Sequence, residues 1–425
     1  MTEPFSVQTQ TYHPLADDAV GPYLAAIPPV AALLGNSPAS WTVREVGDGN
    51  LNLVFIVEGP SGGVVLKQAL PYMRLVGDSW PLPLERSYFE SMALTEQARA
   101  APGLVPQLLA VDRVGAAIVM EYLNPHIILR KALIRGRRLD FFADHMASFL
   151  ALSLFKTSDL YLPSARKKAL MREFCANVEL CKITEDLVFT DPYRASPGNR
   201  WTSPQLDGAA AAIRADAPLK AEVQALKLKF LSSAEALIHG DLHTGSIMVT
   251  ETDTRAIDPE FAFFGPMGFD VGALLANLLI ATIAHPAHSE KPQPYQSWIL
   301  DQAERVWDGF DRRFRALWDE AGAGDAFTAE LFADAPGKAS LRRAQDRRMA
   351  ALFTDTLGFA GCKMIRRVLG LAHVEDLESI ADPDVRAAAE RKVLALARTL
   401  ILRRYDMTSF ADVRRAMAEV ERHPA

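Results

Sequence analysis

Cysteine is scarce in this chain of 425 residues, which contains only Cys175, Cys181 and Cys362. An odd and sparse set of thiols is typical of reduced cysteines in a cytosol. The cysteines and histidines show no CxxC or other ligand spacing, so a structural zinc site is not expected. We therefore predict a cytoplasmic protein with free thiols.

An excess of positive charge is also lacking. The chain has 46 Lys and Arg residues against 52 Asp and Glu residues, for a net charge of −6. The basic residues are scattered, which argues against a surface for nucleic acid or for an acidic membrane. Neither nucleic acid nor a membrane is therefore an expected partner.

Long hydrophobic runs are missing too. Residues 1–4 contain no basic segment that leads into an apolar one, so no signal peptide is expected. The longest apolar run, residues 271–284, is interrupted by Asn277 and is too short to span a bilayer. This run indicates a helix in the core of a globular domain.

The first third of the chain reads as a strand-rich lobe. Residues 1–40 contain helical segments broken by prolines, and we expect them to pack on this lobe. Short β-branched runs separated by glycine-rich turns predict an antiparallel meander, and two later runs complete five strands around one helix. The predicted strands cover residues 42–46, 51–57, 64–69, 108–111 and 117–120, and the helix covers residues 84–100.

Beyond a link at residues 121–125 the chain is mostly helical. The clearest predicted helices cover residues 140–156, 217–232, 270–284, 302–321 and 342–367. We therefore predict an α+β fold with an N-terminal extension at 1–40, a small lobe at 41–123 and a larger lobe at 124–425. Domain junctions are favoured ligand sites, so a cleft is expected at the hinge.

Acidic residues on two consecutive loops carry the chemistry. The motif HGDLHTGS at residues 239–246 is followed, seventeen positions after Asp241, by Asp258, Pro259 and Glu260. Phosphoryl transfer from a metal nucleotide needs one carboxylate that orients the attacking hydroxyl and another that holds Mg²⁺ against the phosphates. Because both acids adjoin apolar runs and glycines, this reading is preferred to ordinary turn aspartates.

Lys67 lies in the third predicted strand between apolar neighbours. A buried, unpaired ammonium is costly, so we expect it to meet nucleotide phosphates and a glutamate from the following helix. Glu90 is the preferred partner, with Glu85 and Glu96 as alternatives. The loop Gly47–Asn50 could bind phosphate through its backbone N–H groups, although an ordinary hairpin turn would use the same residues.

The order of these features resembles the protein-kinase-like fold of small-molecule phosphotransferases, and more narrowly the methylthioribose kinase family. Four segments support the narrower resemblance: GDGNLNLVF at 47–55, PYMRLVGDSWPLPLERSYFE at 71–90, DPEFAFFGPMGFD at 258–270 and GFAGCKMIRRVLGLAHVEDL at 358–377. The resemblance implies MgATP-dependent phosphorylation of the anomeric hydroxyl of S-methyl-5-thioribose in methionine salvage. It also implies a homodimer.

The resemblance assigns roles to particular residues. Asp241 would be the catalytic carboxylate that contacts the sugar, and Arg366 and Arg367 would reach the sugar and the transferred phosphoryl group. Asp258 and Glu260 would hold the metal. The residues implied in ATP binding are Asn50, Lys67, Glu121, Tyr122, Leu123, Asp258, Pro259 and Glu260.

Two features depart from related aminoglycoside and choline kinases. Ser246 stands where those kinases have an asparagine, and Pro259-Glu260 replaces a glycine or aromatic pair. A carboxylate at position 260 can supply the oxygen ligand that the asparagine would have given. Kinases of choline, homoserine, fructosamine or aminoglycosides remain alternatives, as does a catalytically silent nucleotide-binding protein.

Three further positions have alternative explanations. Adjacent arginines on a helix point about 100° apart, so Arg366 and Arg367 share a ligand only near a helix end, which Gly370 could supply. Otherwise they form a solvated charge pair. Asp270 is expected to be the N-cap of the apolar helix and, by the resemblance, a brace for the catalytic loop.

Overall fold

The computed structural model describes residues 3–35, 37–47, 51–73, 77–320 and 324–422, with only the backbone described at residues 73 and 77–80. The chain divides into two compact units. The first comprises Met1–His126, Asn177–Leu180 and Arg255–Ala262, and the second comprises Ile127–Ala176, Cys181–Thr254 and Phe263–Ala425. Three stretches that are far apart in sequence therefore build the first unit.

The first unit contains a mixed sheet flanked by helices. Its strands are β1 (Phe5–Val7), β2 (Thr42–Glu45), β3 (Asn52–Gly59), β4 (Gly62–Ala69), β5 (Tyr72–Met73), β6 (Gly77–Pro81), β7 (Leu108–Asp112) and β8 (Ala117–Glu121). Its helices are α1 (Asp17–Ala25), α2 (Pro28–Leu34) and α3 (Arg86–Ala100). Within the described residues the main sheet has the strand order β1-β7-β8-β4-β3-β2, and β5 pairs with β6.

The alternation of side chains along β3 and β4 separates a core face from a polar face. Phe55, Val57, Val64 and Leu66 are fully buried against helices α1 and α2. Since successive side chains of a strand point to opposite faces, Lys67 lies on the other face of the sheet. Antiparallel pairing places it between Val54 of β3 and Ile118 of β8.

The second unit is mostly helical. Its helices are α4 (Leu129–Ile134), α5 (Phe142–Lys156), α6 (Ser164–Phe174), α7 (Val178–Phe189), α8 (Asp207–Ala215), α9 (Ala217–Ser232), α10 (Met267–Ala284), α11 (Gln293–Glu320), α12 (Ala335–Leu369), α13 (Glu375–Glu378), α14 (Pro383–Arg403) and α15 (Phe410–Arg422). Its short strands are β9 (Ile127–Ile128), β10 (Ala236–Ile238), β11 (Ile247–Val249), β12 (Thr254–Ala256) and β13 (Phe263–Gly265). The division between the units falls within α7 and β12.

Helices α10 and α12 pack closely in the second unit. A Cβ atom at Gly272 of α10 would lie 2.6 Å from the Thr356 carbonyl oxygen of α12, so only glycine allows this approach. Met267–Ala287 is long and apolar enough to cross a membrane, and all of its residues from Met267 to Ala284 are buried within the protein. The apolar run is therefore a core helix, as predicted.

The structure corrects several predicted boundaries. The main sheet contains a sixth strand, β1, which pairs parallel with β7. Helix α10 begins at Met267, whose N–H donates to Glu235 at 3.0 Å, and its N-cap is Pro266. Asp270 is therefore not the N-cap, although its role as a loop brace is confirmed below. Helices α11 and α12 begin nine and seven residues before their predicted starts.

Candidate active site

A lysine surrounded by carboxylates forms the polar cluster of the first unit. Lys67 Nζ donates to Glu90 Oε1 at 2.9 Å and also pairs with Asp258. The structure therefore selects Glu90 rather than Glu85 or Glu96 as the partner from helix α3. Lys67 and Glu90 are buried, whereas the Asp258 side chain is 45% exposed.

Glu260 is held by two residues that the sequence did not single out. Asn52 Nδ2 donates to Glu260 Oε2 at 3.0 Å, and Arg86 Nε lies 3.7 Å from the same oxygen. Arg86 is fully buried and also donates to Asn52 Oδ1 at 2.9 Å and to the Leu70 carbonyl at 2.8 Å. This network fixes the Glu260 carboxylate against the strand-rich unit.

The backbone of residues 258–262 sets the direction of both acids. Asp258 has a φ of 68°, a left-handed conformation that is uncommon for a residue other than glycine. Asn177 donates to the carbonyl oxygens of Glu260 and Ala262, at 2.9 and 3.0 Å. These two hydrogen bonds hold the loop at Glu260 and Ala262. The left-handed backbone at Asp258 directs its side chain toward Lys67.

The first unit's cluster carries more negative than positive charge. Burial raises the pKa of Glu90, and the negative charges of Asp258 and Glu260 raise it further. The positive charge of Lys67 opposes both effects. Burial and Asp258 likewise raise the pKa of Glu260. Burial alone would lower the pKa of Lys67, but the surrounding carboxylates raise it above its usual value. An added cation would relieve this crowding of carboxylates.

The donor set of this cluster fits a hard divalent cation. Among the described residues, Glu90, Asp258 and Glu260 form one group whose ligand oxygens all lie within 4.8 Å of one another. Mg²⁺ prefers such oxygen ligands and binds through one or two carboxylates together with phosphate oxygens. Each of the three acids also has a protein partner, since Lys67 contacts both Glu90 and Asp258 and Asn52 donates to Glu260.

The remaining residues implied in nucleotide binding lie in the same unit. Glu121 ends β8, and its carboxylate accepts from the Gln107 N–H at 3.0 Å and lies 3.6 Å from Arg255. The Glu121 backbone N–H in turn donates to the Gln107 carbonyl oxygen at 2.9 Å. Leu123 and Pro259 are buried, and Tyr122 packs over Gly63. Asn50 lies outside the described residues.

The motif at residues 239–246 lies in the second unit, and the Asp270 side chain holds its backbone in place. Asp270 accepts the His239 N–H at 2.6 Å and the Gly240 N–H at 3.0 Å. Two adjacent N–H groups reach one carboxylate because Gly240 adopts a φ of 85°, which favours glycine. This brace fixes the backbone immediately before Asp241.

Three cations from the end of helix α12 meet the Asp241 carboxylate. Lys363 Nζ donates to Oδ1 at 2.7 Å, and the guanidinium nitrogens of Arg366 and Arg367 lie 3.5 and 3.8 Å from the same oxygen. Helix α12 ends at Leu369 with Gly370 as its C-cap, so Gly370 is the helix stop that the sequence predicted. Both arginines are buried, so they are not a solvated charge pair.

These cations keep Asp241 ionised. Burial alone would raise the pKa of the Asp241 carboxyl, but Lys363 and Arg366 hold it well below its usual value. Burial lowers the pKa of His243 to about 3, so this ring is neutral near pH 7 and contributes a contact rather than a charge. Its Nε2 lies 3.4 Å from Asp241 Oδ2.

Ser246 has a structural contact of its own. Its hydroxyl donates to the Asp241 carbonyl oxygen at 3.1 Å, which closes the turn that follows the motif. His243 Nδ1 accepts the Gly245 N–H at 2.9 Å. The second contact fixes the orientation of the His243 ring within the loop.

Sequence reasoning missed Asn52, Arg86 and Lys363. Asn52 and Arg86 lie within the resembling segments 47–55 and 71–90, and Lys363 lies within 358–377. Lys363 also precedes Arg366 and Arg367 by three and four residues, the spacing that places side chains on one helix face. That spacing was the one local signal that could have identified it.

Comparisons with known proteins agree on the family. Residues 42–287 match the phosphotransferase enzyme family. Methylthioribose kinase 1 of Oryza sativa subsp. japonica is 46% identical over 95% of each chain. Methylthioribose kinase of Escherichia coli O45:K1 is 46% identical over 92% of this chain and 94% of its own.

Solved structures with similar folds include a glucosamine kinase in complex with glucosamine, ADP and inorganic phosphate. It is 15% identical, with a TM-score of 0.46, over 88% of this chain and 84% of its own. The matches in sequence extend across both compact units and include every segment that carries the acidic and basic clusters. The chain therefore belongs to the methylthioribose kinase family, within the phosphotransferase enzymes of protein-kinase-like fold.

Proposed function

We propose that the protein transfers the γ-phosphoryl group of MgATP to the anomeric 1-hydroxyl of S-methyl-5-thioribose, giving the 1-phosphate and ADP in methionine salvage. The observation that carries the proposal is the convergence of Arg366 and Arg367 on the Asp241 carboxylate. A phosphoryl acceptor bound there meets a proton acceptor and two guanidinium groups at once. Close similarity to named methylthioribose kinases supports this substrate.

The first unit is proposed to bind the nucleotide. Lys67, fixed by Glu90, would pair with phosphate oxygens, while Asp258 and Glu260 would hold Mg²⁺. When bound, Mg²⁺ would neutralise negative charge on the phosphates. Asn50, the segment Glu121–Leu123 and Pro259 complete the proposed ATP site. The lobe boundaries at residues 40 and 123 remain part of this proposal.

The second unit is proposed to bind and activate the sugar. Asp241 would accept a hydrogen bond from the 1-hydroxyl and take its proton late in phosphoryl transfer, because a strongly stabilised carboxylate is a weak base. Among the described residues, Nε of Arg366 and both Nε and Nη2 of Arg367 are buried without a hydrogen-bond partner. These N–H groups are available to sugar hydroxyls and phosphoryl oxygens.

Charge near Asp241 argues against a cationic acceptor. Lys363, Arg366 and Arg367 outnumber the acids that face the same loop, so choline or an aminoglycoside would meet repulsion. From the resemblance we further propose a cytoplasmic homodimer that has no nucleic-acid or membrane partner. Sedimentation velocity would check the dimer, since a monomer at micromolar concentration would contradict it.

A coupled assay of ADP release tests the proposed substrate. Methylthioribose, ribose, choline and kanamycin are compared at equal concentration with saturating MgATP. We expect methylthioribose to give the highest kcat/KM, and ³¹P NMR of the product to show phosphorylation at the anomeric oxygen. Preferred turnover of choline or kanamycin would replace the proposed substrate class, and ADP release with no acceptor at all would contradict a kinase role.

A further inference from the structure

Lys363 differs from the two arginines beside it in how it contacts Asp241. Its Nζ is 2.7 Å from Oδ1, a hydrogen-bond distance, whereas the arginine nitrogens lie 3.5 and 3.8 Å away. Lys363 lies one helical turn before the arginines in α12, so all three side chains share the face that meets the catalytic loop.

Lys363 has no route to solvent or to a distant ligand. Its side chain is 2% exposed, and its ammonium lies 4.5 Å from the ring centroid of fully buried Phe269. The neighbouring Asp270 carboxylate is already occupied by the N–H groups of His239 and Gly240. Asp241 is therefore the acid to which Lys363 is committed.

The two oxygens of Asp241 consequently have different surroundings. Within the part of the chain that the structure describes, Oδ1 accepts from Lys363 and Oδ2 lies 3.4 Å from His243 Nε2, and the side chain as a whole is 17% exposed. An acceptor hydroxyl can thus approach Oδ2 without displacing Lys363. The arginines, at longer distance, keep N–H groups for the ligand.

We propose that Lys363 is the positioning residue of the reaction: by occupying Oδ1 it fixes the Asp241 carboxylate and leaves Oδ2 for the acceptor hydroxyl. This inference rests on the proposed function of Asp241. Side chains at the C-terminal end of α12 then have two different roles. Lys363 positions the proton acceptor, and Arg366 and Arg367 bind the ligand.

The inference predicts a change in pH dependence when the positive charge is removed. Lys363 lowers the pKa of Asp241, so its loss raises that pKa and moves the acid limb of the rate profile to higher pH. The pKa of Lys363 itself is lowered to about 8, because burial lowers it and Asp241 opposes that effect. Lys363 is therefore mostly protonated at pH 7. The charged and titratable groups around this site include Lys363, Arg366, Arg367, His239, His243, Asp270, Arg130 and Asp376.

Lys363→Met is the informative variant, because methionine keeps an unbranched side chain without the charge. We expect kcat for methylthioribose to fall by about ten- to a hundred-fold with little change in the KM for ATP. The acid limb of kcat/KM should move up by about 1–3 pH units. Lys363→Arg should restore the position of the acid limb.

Lys167 provides a matched control in the same unit. It is also buried, pairs with Asp159 and lies 5.9 Å from the centroid of an aromatic ring, Phe264. Lys167→Met should lower the melting temperature and leave the acid limb unchanged. If Lys363→Met only lowers the melting temperature in the same way, Lys363 is structural and the proposal is overturned.

A substrate-free measurement separates this inference from the proposed function. The ¹³Cγ signal of Asp241, assigned by comparison with Asp241→Asn, is titrated in the wild type and in Lys363→Met. The proposal expects ionisation to persist far below the usual Asp range in the wild type, and a raised pKa in the variant. A wild-type carboxyl that titrates normally overturns it even if Lys363→Met does not fold. Failure of wild type to phosphorylate methylthioribose would instead overturn the proposed function alone.

Discussion

Asp241 combines a fixed backbone with a carboxylate stabilised by neighbouring cations, so its removal can be tested without loss of the fold. Asp241→Asn keeps the volume and the loop brace from Asp270. We expect kcat to fall by about 10²–10⁴-fold, because the proton acceptor is lost. Affinity for an ATP analogue should be unchanged in isothermal titration calorimetry. Near-normal turnover by the folded variant would remove Asp241 from the mechanism.

Glu260 tests the proposed metal site. Glu260→Gln keeps a side-chain oxygen for Asn52 but removes the charge that would hold Mg²⁺. At saturating ATP, the Mg²⁺ concentration for half-maximal rate should rise roughly ten-fold or more, as a charged ligand is lost. Glu85→Gln, an exposed position at the start of α3, is the control and should behave as wild type. An unchanged Mg²⁺ midpoint in Glu260→Gln would assign Glu260 a structural role.

The contacts of a single residue could be predicted from the sequence where its immediate neighbours required them. Lys67 between apolar residues required a partner, and the structure supplies Glu90. Asn52 and Arg86 could not be assigned because their shared partner, Glu260, lies 208 and 174 positions away. Such contacts depend on tertiary packing, which no local pattern encodes.

The C-terminal end of α12 brings Arg366 and Arg367 to one acid. Arg366→Ala and Arg367→Ala should each lower kcat/KM for methylthioribose by about ten- to a hundred-fold, since each removes a charge-assisted contact of about 1.5–3 kcal/mol. ATP affinity in the absence of sugar should change little. If both variants turn over methylthioribose like wild type, the convergence of Arg366 and Arg367 on Asp241 no longer supports methylthioribose as the substrate.

The packing of α10 against α12 gives a stability test. Gly272→Ala places a methyl group 2.6 Å from a backbone oxygen, so we expect a loss of about 1–3 kcal/mol in the free energy of unfolding, measured with urea. Gly208 of α8 has open space around its Cβ position. Gly208→Ala is the control and should be neutral or stabilising by about 0.4–1 kcal/mol. A stable Gly272→Ala would show that the helices separate easily.

At the level of elements, periodicity predicted the main strands and the long helices. Strand β1 was missed because three residues are too few to show a period and they pair with β7, about a hundred positions away. Helix α11 begins nine residues before its predicted start and has Pro294 in its first turn, where proline is tolerated. The acidic loop at 258–260 was recognised as a motif, but its membership of the strand-rich unit was not.

The whole molecule should respond to its two ligands in different places. Hydrogen–deuterium exchange with an MgATP analogue should protect β3, β4, α3 and residues 255–262, which belong to the first unit. Methylthioribose should protect residues 239–246 and the end of α12 in the second unit. Asp241→Asn should keep the nucleotide pattern. Protection of the first unit by the sugar alone would contradict the assignment of the two clusters.

The discontinuous first unit also limits how this gene can recombine. A fragment that ends at His126 would contain Lys67 and Glu90 but neither Asp258 nor Glu260, and it would lack the Asn177 amide that anchors their loop. In a chimera that exchanges only residues 1–126 between relatives, Lys67 would come from one parent, and Asp258 and Glu260 would come from the other. Exchange of the whole first unit therefore requires all three of its segments to be transferred together, which favours inheritance of the whole reading frame.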